Sequence, residues 1–328
     1  MLSSVAERVY WLGRYLERVE NSARLINVYS SMLLDLPSGT QIGWGMLVDI
    51  TGCTEEYEEA HDSLEEKQVL KFLIAEKNNP ASVMNCVTMM RENARTTREV
   101  IPAEAWELIN NLYLFMKDNV GKVASRRIRQ QTLETAVGEC QRIVGLLTGC
   151  MSRNNVYGFI QLGLKLERAD MTSRMVDVGS ISLLPVFSRN TSNRLFLEPY
   201  ENVVWMNVLR CLGGYQAYRQ EVRNHVRGED VVRFLLQDED FPRAIGYCLH
   251  DLDMRLEHLP GHVDVQAAVA RVKKITNEVS VSGLLKRGLL EFIDELQISI
   301  ADIHEAISHA WFHPEELHKI ITADEDED

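Results

Sequence analysis

The chain of 328 residues has no run of about 18 apolar residues, so a membrane-spanning helix is not expected. The strict apolar–polar alternation of a half-buried strand is nearly absent, which argues against a β-rich fold. The six cysteines (Cys53, Cys86, Cys140, Cys150, Cys211, Cys248) include no CxxC pair. They read as reduced, mostly buried thiols of a cytoplasmic protein. Basic residues are too few to give a net positive charge. With 35 Lys and Arg against 48 Asp and Glu, the formal charge is −13, which weighs against nucleic acid or anionic lipid as a partner. The stretch Ser125–Arg129 (SRRIR) is the best local basic patch and reads as a solvated helix face. No phosphate-binding GxxxxGK[ST] loop, dinucleotide-binding glycine pattern or GxSxG elbow occurs. The N-terminal segment is charged and amphipathic and lacks the apolar core of a secretion signal.

Helical periodicity, by contrast, runs through the chain, and 45% hydrophobic content is enough for a sizeable core. The expected fold is all-α. It is a single large helical domain over 1–313, with two bundle-like halves and an approximate internal repeat, followed by an acidic, partly disordered tail over 314–328. Ser63 and Glu66 have capping-box spacing. Asn79-Pro80, Pro102 and Pro242 are placed to open helices. Long helices are expected over about 125–151 and 156–182, with others over about 200–224, 229–236, 262–278 and 282–312. A Ser-, Asn- and Pro-rich loop spans 183–199. Gly213-Gly214 reads as a helix kink.

One pattern occurs twice: LGRYLERVENSARLINV from Leu12 and LGLKLERADMTSRMVDV from Leu162. On a helical wheel, Val5, Val9, Leu12, Leu16, Val19, Ala23 and Ile26 form the core arc of the first copy. Gly13, Glu17, Glu20 and Arg24 form a polar strip beside it, which Arg14, Arg18 and Asn21 widen. The second copy repeats the strip as Gly163, Glu167, Asp170 and Arg174, with Arg168 matching Arg18. A mid-helix glycine costs about 1 kcal/mol relative to alanine, so its presence in both copies implies close approach of a backbone or a ligand. Glu17 with Arg24 and Glu167 with Arg174 would form an ion-pair network. That network docks two helices or lines a cleft for a charged ligand; the remaining alternative is plain surface salt bridges. A third segment, MRENARTTREVI from Met90, sets Arg91, Arg95 and Arg98 on one face, with Glu17 and Glu167 as natural partners and a phosphate or carboxylate as the alternative.

Metal chemistry finds little support. A di-iron site needs Glu-x-x-His from two helices, and the one such spacing, Glu315 to His318, lies past the last long helix. His304 and His309 are five apart and so diverge by about 140° on a helix, unlike the pair of HExxH. No metal and no cofactor are expected. Arg243, just after Pro242, sits either where a helix start favours anions or as a solvated arginine behind a plain first-turn proline.

The segments YWLGRYLERVENSARL, RENARTTREV, LGLKLERADMTSRMVD, WMNVLRCLGGYQAYRQ and FLLQDEDFPRAIGYCL occur in this order, and together they resemble the bacterial alpha-E domain family. The resemblance runs to about residue 312. It picks out Glu17, Arg18, Asn21 and Arg24; Arg91, Glu92, Asn93 and Arg95; Glu167, Arg168, Asp170 and Arg174; and Tyr218, Arg219, Pro242 and Arg243. Ala244 departs from the serine expected there. The resemblance implies association with a circularly permuted ATP-grasp protein and, nearby, a transglutaminase-like protein, in a system that makes or trims amide-linked peptides. Two functions stay open. One is a partner or substrate-holding subunit of the ligase. The other is an enzyme in which Glu17 or Glu167 is the general base and Arg24, Arg95 or Arg174 holds a carboxylate.

Overall fold

A computed structural model describes residues 1–35, 43–181, 201–223 and 225–313. Among them every regular element is helical and no strand occurs. The loop at 183–199, the tail at 314–328 and the Glu315–His318 pair lie outside the described residues.

The longest helix, α1 (Ser3–Asp35), and α8 (Asn155–Ile181) carry the two copies of the repeated pattern and pack against each other. Between them in the chain run α2 (Gly45–Thr51), α3 (Thr54–Ala60), α4 (Glu66–Ile74), α5 (Val83–Thr96), α6 (Ala103–Asn119) and α7 (Arg126–Cys150). After α8 come α9 (Glu201–Cys211), α10 (Tyr215–Glu221), α11 (Gly228–Gln237), α12 (Ile245–Leu256), α13 (Val263–Glu278), α14 (Val281–Arg287) and α15 (Leu289–Ile307), which ends in a π-turn over Ser308–Phe312. α5 and α7 pack on α1, and α12 and α15 pack on α8. The expected core arc of α1 is buried except for Val5, which is half-buried. Leu162, Leu166, Ala169, Ser173 and Val176 are buried on α8.

The two glycines explain why these helices come so close. A Cβ at Gly13 would fall on the Ile160 carbonyl oxygen, and one at Gly163 on the Tyr10 carbonyl oxygen. The approach is reciprocal, backbone against backbone. Neither obstacle is a side chain that could swing away.

Several local expectations are corrected. The 282–312 segment is two helices, because Gly288 adopts φ +150°, a conformation closed to other residues. Gly213, at φ +65°, ends α9, and Gly214 caps α10, so the pair breaks a helix rather than kinking it. The Ser63–Glu66 box does not form: Ser63 Oγ donates to Gln68 Oε1, and Glu65 is the cap. Pro80 and Pro242 lie in turns ahead of α5 and α12, whose caps are Ser82 and Ala244. Arg129 of the basic patch is buried, donating to Glu66 and to the Val123 carbonyl, so that face is only partly solvated. The cysteines are all free, and all but Cys150 are buried. No described helix is long and apolar enough to cross a membrane.

Gly13→Ala and Gly163→Ala should each destabilise the protein by about 1–3 kcal/mol in urea unfolding, because overpacking outweighs the helix propensity gained. Unchanged or raised stability would mean that the two backbones are not in contact.

Candidate functional site

Because α1 and α8 meet at their glycines, the Glu-Arg dipeptides that follow four residues later face one another. Arg168 donates to Glu17 in bidentate fashion, from Nε to Oε1 at 2.9 Å and from Nη2 to Oε2 at 2.6 Å. Arg18 does the same to Glu167, at 2.5 and 3.0 Å. Glu17 and Glu167 are 0% and 1% exposed. Successive helix residues point about 100° apart, so a Glu-Arg dipeptide presents an acid and a base to a partner with the same dipeptide. The network expected from the sequence therefore exists, but its pairing is crossed between helices. Arg24 and Arg174 do not reach Glu17 and Glu167. Each bonds the acid one turn back on its own helix, Arg24 to Glu20 at 2.9 Å and Arg174 to Asp170 at 3.1 Å.

Each buried carboxylate takes a further cation. Arg243 Nη1 donates to Glu17 Oε1 at 2.6 Å and to Asn21 Oδ1 at 2.7 Å, and its Nη2 donates to Glu20 Oε1 at 2.7 Å. Asn21 Nδ2 also donates to Glu17. The turn carrying Arg243 is itself held by α8, where Arg168 Nη1 donates to the Pro242 carbonyl and Thr172 Oγ1 to that of Arg243. Arg243 therefore serves as a counter-cation from a turn and not as a first-turn anion binder, which corrects its expected role. On the other side Arg14 Nε pairs with Glu167 Oε2 at 2.6 Å, while its Nη1 donates to the Tyr10 hydroxyl. The Tyr10 hydroxyl in turn lies 2.9 Å from His304 Nδ1 on α15.

Burial alone would discourage ionisation of Glu17, but Arg168 and Arg243 outweigh it and lower its pKa to about 2 from an ordinary 4.5. Glu167 is likewise buried, and Arg18 and Arg14 hold its pKa below the usual value. A folded-state pKa below the unfolded one means that ionised Glu17 stabilises the fold above about pH 4.5. That contribution is lost as pH falls toward about 2.

The arginine-rich segment does not join this centre. Arg91 donates to Asn110 and lies over Tyr113 and Trp106; Arg95 pairs with Glu92 on its own helix; Arg98 lies over Trp106. The expectation that Arg91, Arg95 and Arg98 meet Glu17 and Glu167 is corrected. Their positive charge is absorbed by local acids and aromatic faces on α5 and α6. Arg219 is exposed on α10. Among the described residues, no group of three acids, histidines or cysteines could hold a metal ion.

At the Glu167 end the network opens to solvent. A cleft of about 220 Å³ is lined there by Arg18, Ser22, Glu167, Asp170, Met171 and Arg174, and is closed by the 51–56 and 80–81 segments. Ser22, Ala81 and Cys53 are site residues that the sequence reading missed. Only Ser22 carried a usable signal, since it lies in the repeated stretch at the position of Thr172. A larger cavity of about 530 Å³ between α4 and the 120–124 segment is lined mainly by apolar groups, and its arginine, Arg129, is committed to Glu66.

The chain belongs to the family described as Alpha-E, a predicted alpha-helical domain with a conserved ER motif, which it matches over residues 1–312. No curated protein and no solved structure matches it.

Removing one partner from a buried pair leaves a charge without compensation. Arg243→Ala should therefore cost about 3–5 kcal/mol in urea unfolding, whereas Arg91→Ala should cost no more than about 1 kcal/mol. Equal losses would place Arg243 outside the network.

Proposed function

We propose that this Alpha-E protein is the substrate-holding component of a bacterial, cytoplasmic, ATP-grasp-linked system that forms amide bonds. A circularly permuted ATP-grasp ligase is its principal partner, and a transglutaminase-like protein is a second one. The observation that carries this reading is the saturation of both central acids. Glu17 and Glu167 each lie within ion-pair distance of two guanidinium groups and are held ionised. A general base works best with a pKa near the working pH and a lone pair aimed at substrate. These carboxylates instead fix the positions of arginines. That supports a preorganised binding centre over proton transfer, and so weighs against the alternative of a stand-alone enzyme using Glu17 or Glu167 as base. The cleft beside Arg18, Asp170 and Arg174 supplies a mixed-charge surface suited to an amino-acid or peptidyl ligand.

The test is reconstitution with a circularly permuted ATP-grasp protein, following ATP hydrolysis and amide product. Turnover should require both proteins and should survive Glu17→Gln in protein that remains folded. Product from the isolated chain, abolished by Glu17→Gln, would establish the enzyme reading in its place.

A further inference from the structure

The two ends of the network are built alike but finished differently. At one end, the turn Phe241–Ala244 precedes α12, and Cys248 Sγ lies 3.6 Å from the Pro242 carbonyl oxygen. At the other, the turn Asn79–Ser82 precedes α5, and Cys86 Sγ lies 3.9 Å from the Pro80 carbonyl oxygen. Each prolyl turn leads into a helix packed on α8 or α1 respectively. The match extends to the outer arginines. Arg174 lies against Gly52 and Arg24 near Gly213, and both glycines have left-handed backbone, at φ +67° and +65°. In this correspondence Glu17, Glu20, Asn21, Arg24, Arg168 and Thr172 answer to Glu167, Asp170, Met171, Arg174, Arg18 and Ser22. The latter six all line the cleft.

The counterpart of Arg243 is then Ala81, which also lines the cleft. Where Arg243 extends a guanidinium onto Glu17, Glu20 and Asn21, the alanine leaves open volume in front of Glu167 and Asp170. Arg14 neutralises Glu167 from a different direction, along α1 toward Tyr10, and does not fill that volume. The groups facing the cleft have unused capacity. Among the described residues, Asp170 receives one side-chain bond, from Arg174 through Oδ2, and none to Oδ1, and Ser22, 5% exposed, makes no side-chain hydrogen bond; Glu56 is exposed at the mouth. The bordering arginines are no obstacle. Arg168 and Arg24 border Arg243 in the same way, each committed to its own acid.

We propose that this cleft is a binding site for a guanidinium group, supplied by free arginine or by an arginine side chain of a peptide, and docked on Asp170 opposite Ala81 as Arg243 is docked on Glu20. This rests on the reading of the cleft as the ligand face and names the ligand's chemistry. Met171 in place of Asn21 removes one acceptor, which makes this an exchangeable site and not a permanent pair.

The experiment is calorimetric titration of the full chain with arginine, agmatine, N-acetyl-arginine amide and the neutral isostere citrulline. The first three should bind saturably and citrulline at least about tenfold more weakly, since charge-assisted bonds are about twice as strong as neutral ones. Agmatine bound as tightly as arginine would show that the guanidinium alone is read, and preference for the acetylated amide would identify a peptide as the source. Either result supports the site. Ala81→Arg should abolish binding and raise the melting temperature by supplying the group internally. If that variant does not fold, Ala81→Leu, which fills the volume without charge, should also abolish binding. No saturable binding of any guanidinium compound to the wild type, or undiminished binding in a folded Ala81 variant, overturns the proposal. Its failure is separable from failure of the ligase reading, because turnover in the two-protein assay would then persist without a guanidinium ligand.

Discussion

Two carboxylates and two guanidinium groups exchanged between α1 and α8 set the register on which the rest of the structure depends. The exchange is possible because Gly13 and Gly163 let the two backbones touch. Any side chain at either position would hold the helices apart, and the bidentate geometry of Arg168 on Glu17 and Arg18 on Glu167 would be lost. Buried ion pairs contribute little net stability, since desolvation offsets most of the attraction. Their contribution is specificity. A slip of one residue would bury uncompensated charges, so the pairs penalise every register but one. The apolar arc from Val9 to Ile26 supplies the driving force, and the acids and arginines decide where it settles.

From this centre the contacts fan outward. Arg243 ties the turn before α12 to α1, Thr172 ties the same turn to α8, and Tyr10 with His304 links α1 to α15. Three helices and a turn far apart in sequence are thus held by one polar cluster. At the Glu17 end the cluster is sealed by the chain's own arginine; at the Glu167 end an alanine stands in the matching place and the cluster opens. An open end beside a centre whose two buried carboxylates are already held by arginines would present a ligand with groups in position, as the proposed binding role requires.

Much of this was legible in the sequence. The all-helical class followed from periodicity, and the two glycines signalled close approach because they carry a penalty inside a helix. The strip residues Glu17, Glu20, Asn21, Arg24, Glu167, Asp170 and Arg174 do gather, with Arg14, Arg18, Arg168 and Arg243. What the wheel could not give was partner identity. It placed Arg24 beside Glu17, whereas the crossing of the helices gives Glu17 to Arg168. Arg91, Arg95 and Arg98 shared a face, yet helical facing says nothing about which neighbour lies opposite, and Trp106, Tyr113 and Glu92 satisfied them locally. Ala81 was invisible, because its importance is the volume it does not fill. Gly288 and Gly213 broke helices that periodicity alone ran together.

The most direct test of the account is a double-mutant cycle on Glu17 and Arg168, using Glu17→Gln, Arg168→Met and the pair, with stability read by urea unfolding. If the crossed pairs hold α1 to α8, the two changes are coupled by about 2 kcal/mol or more, and the double variant loses far less than the sum of the singles. Losses that add to within about 0.5 kcal/mol would mean that the two side chains do not meet, and the account of the fold and of its central ion-pair network would fail with them.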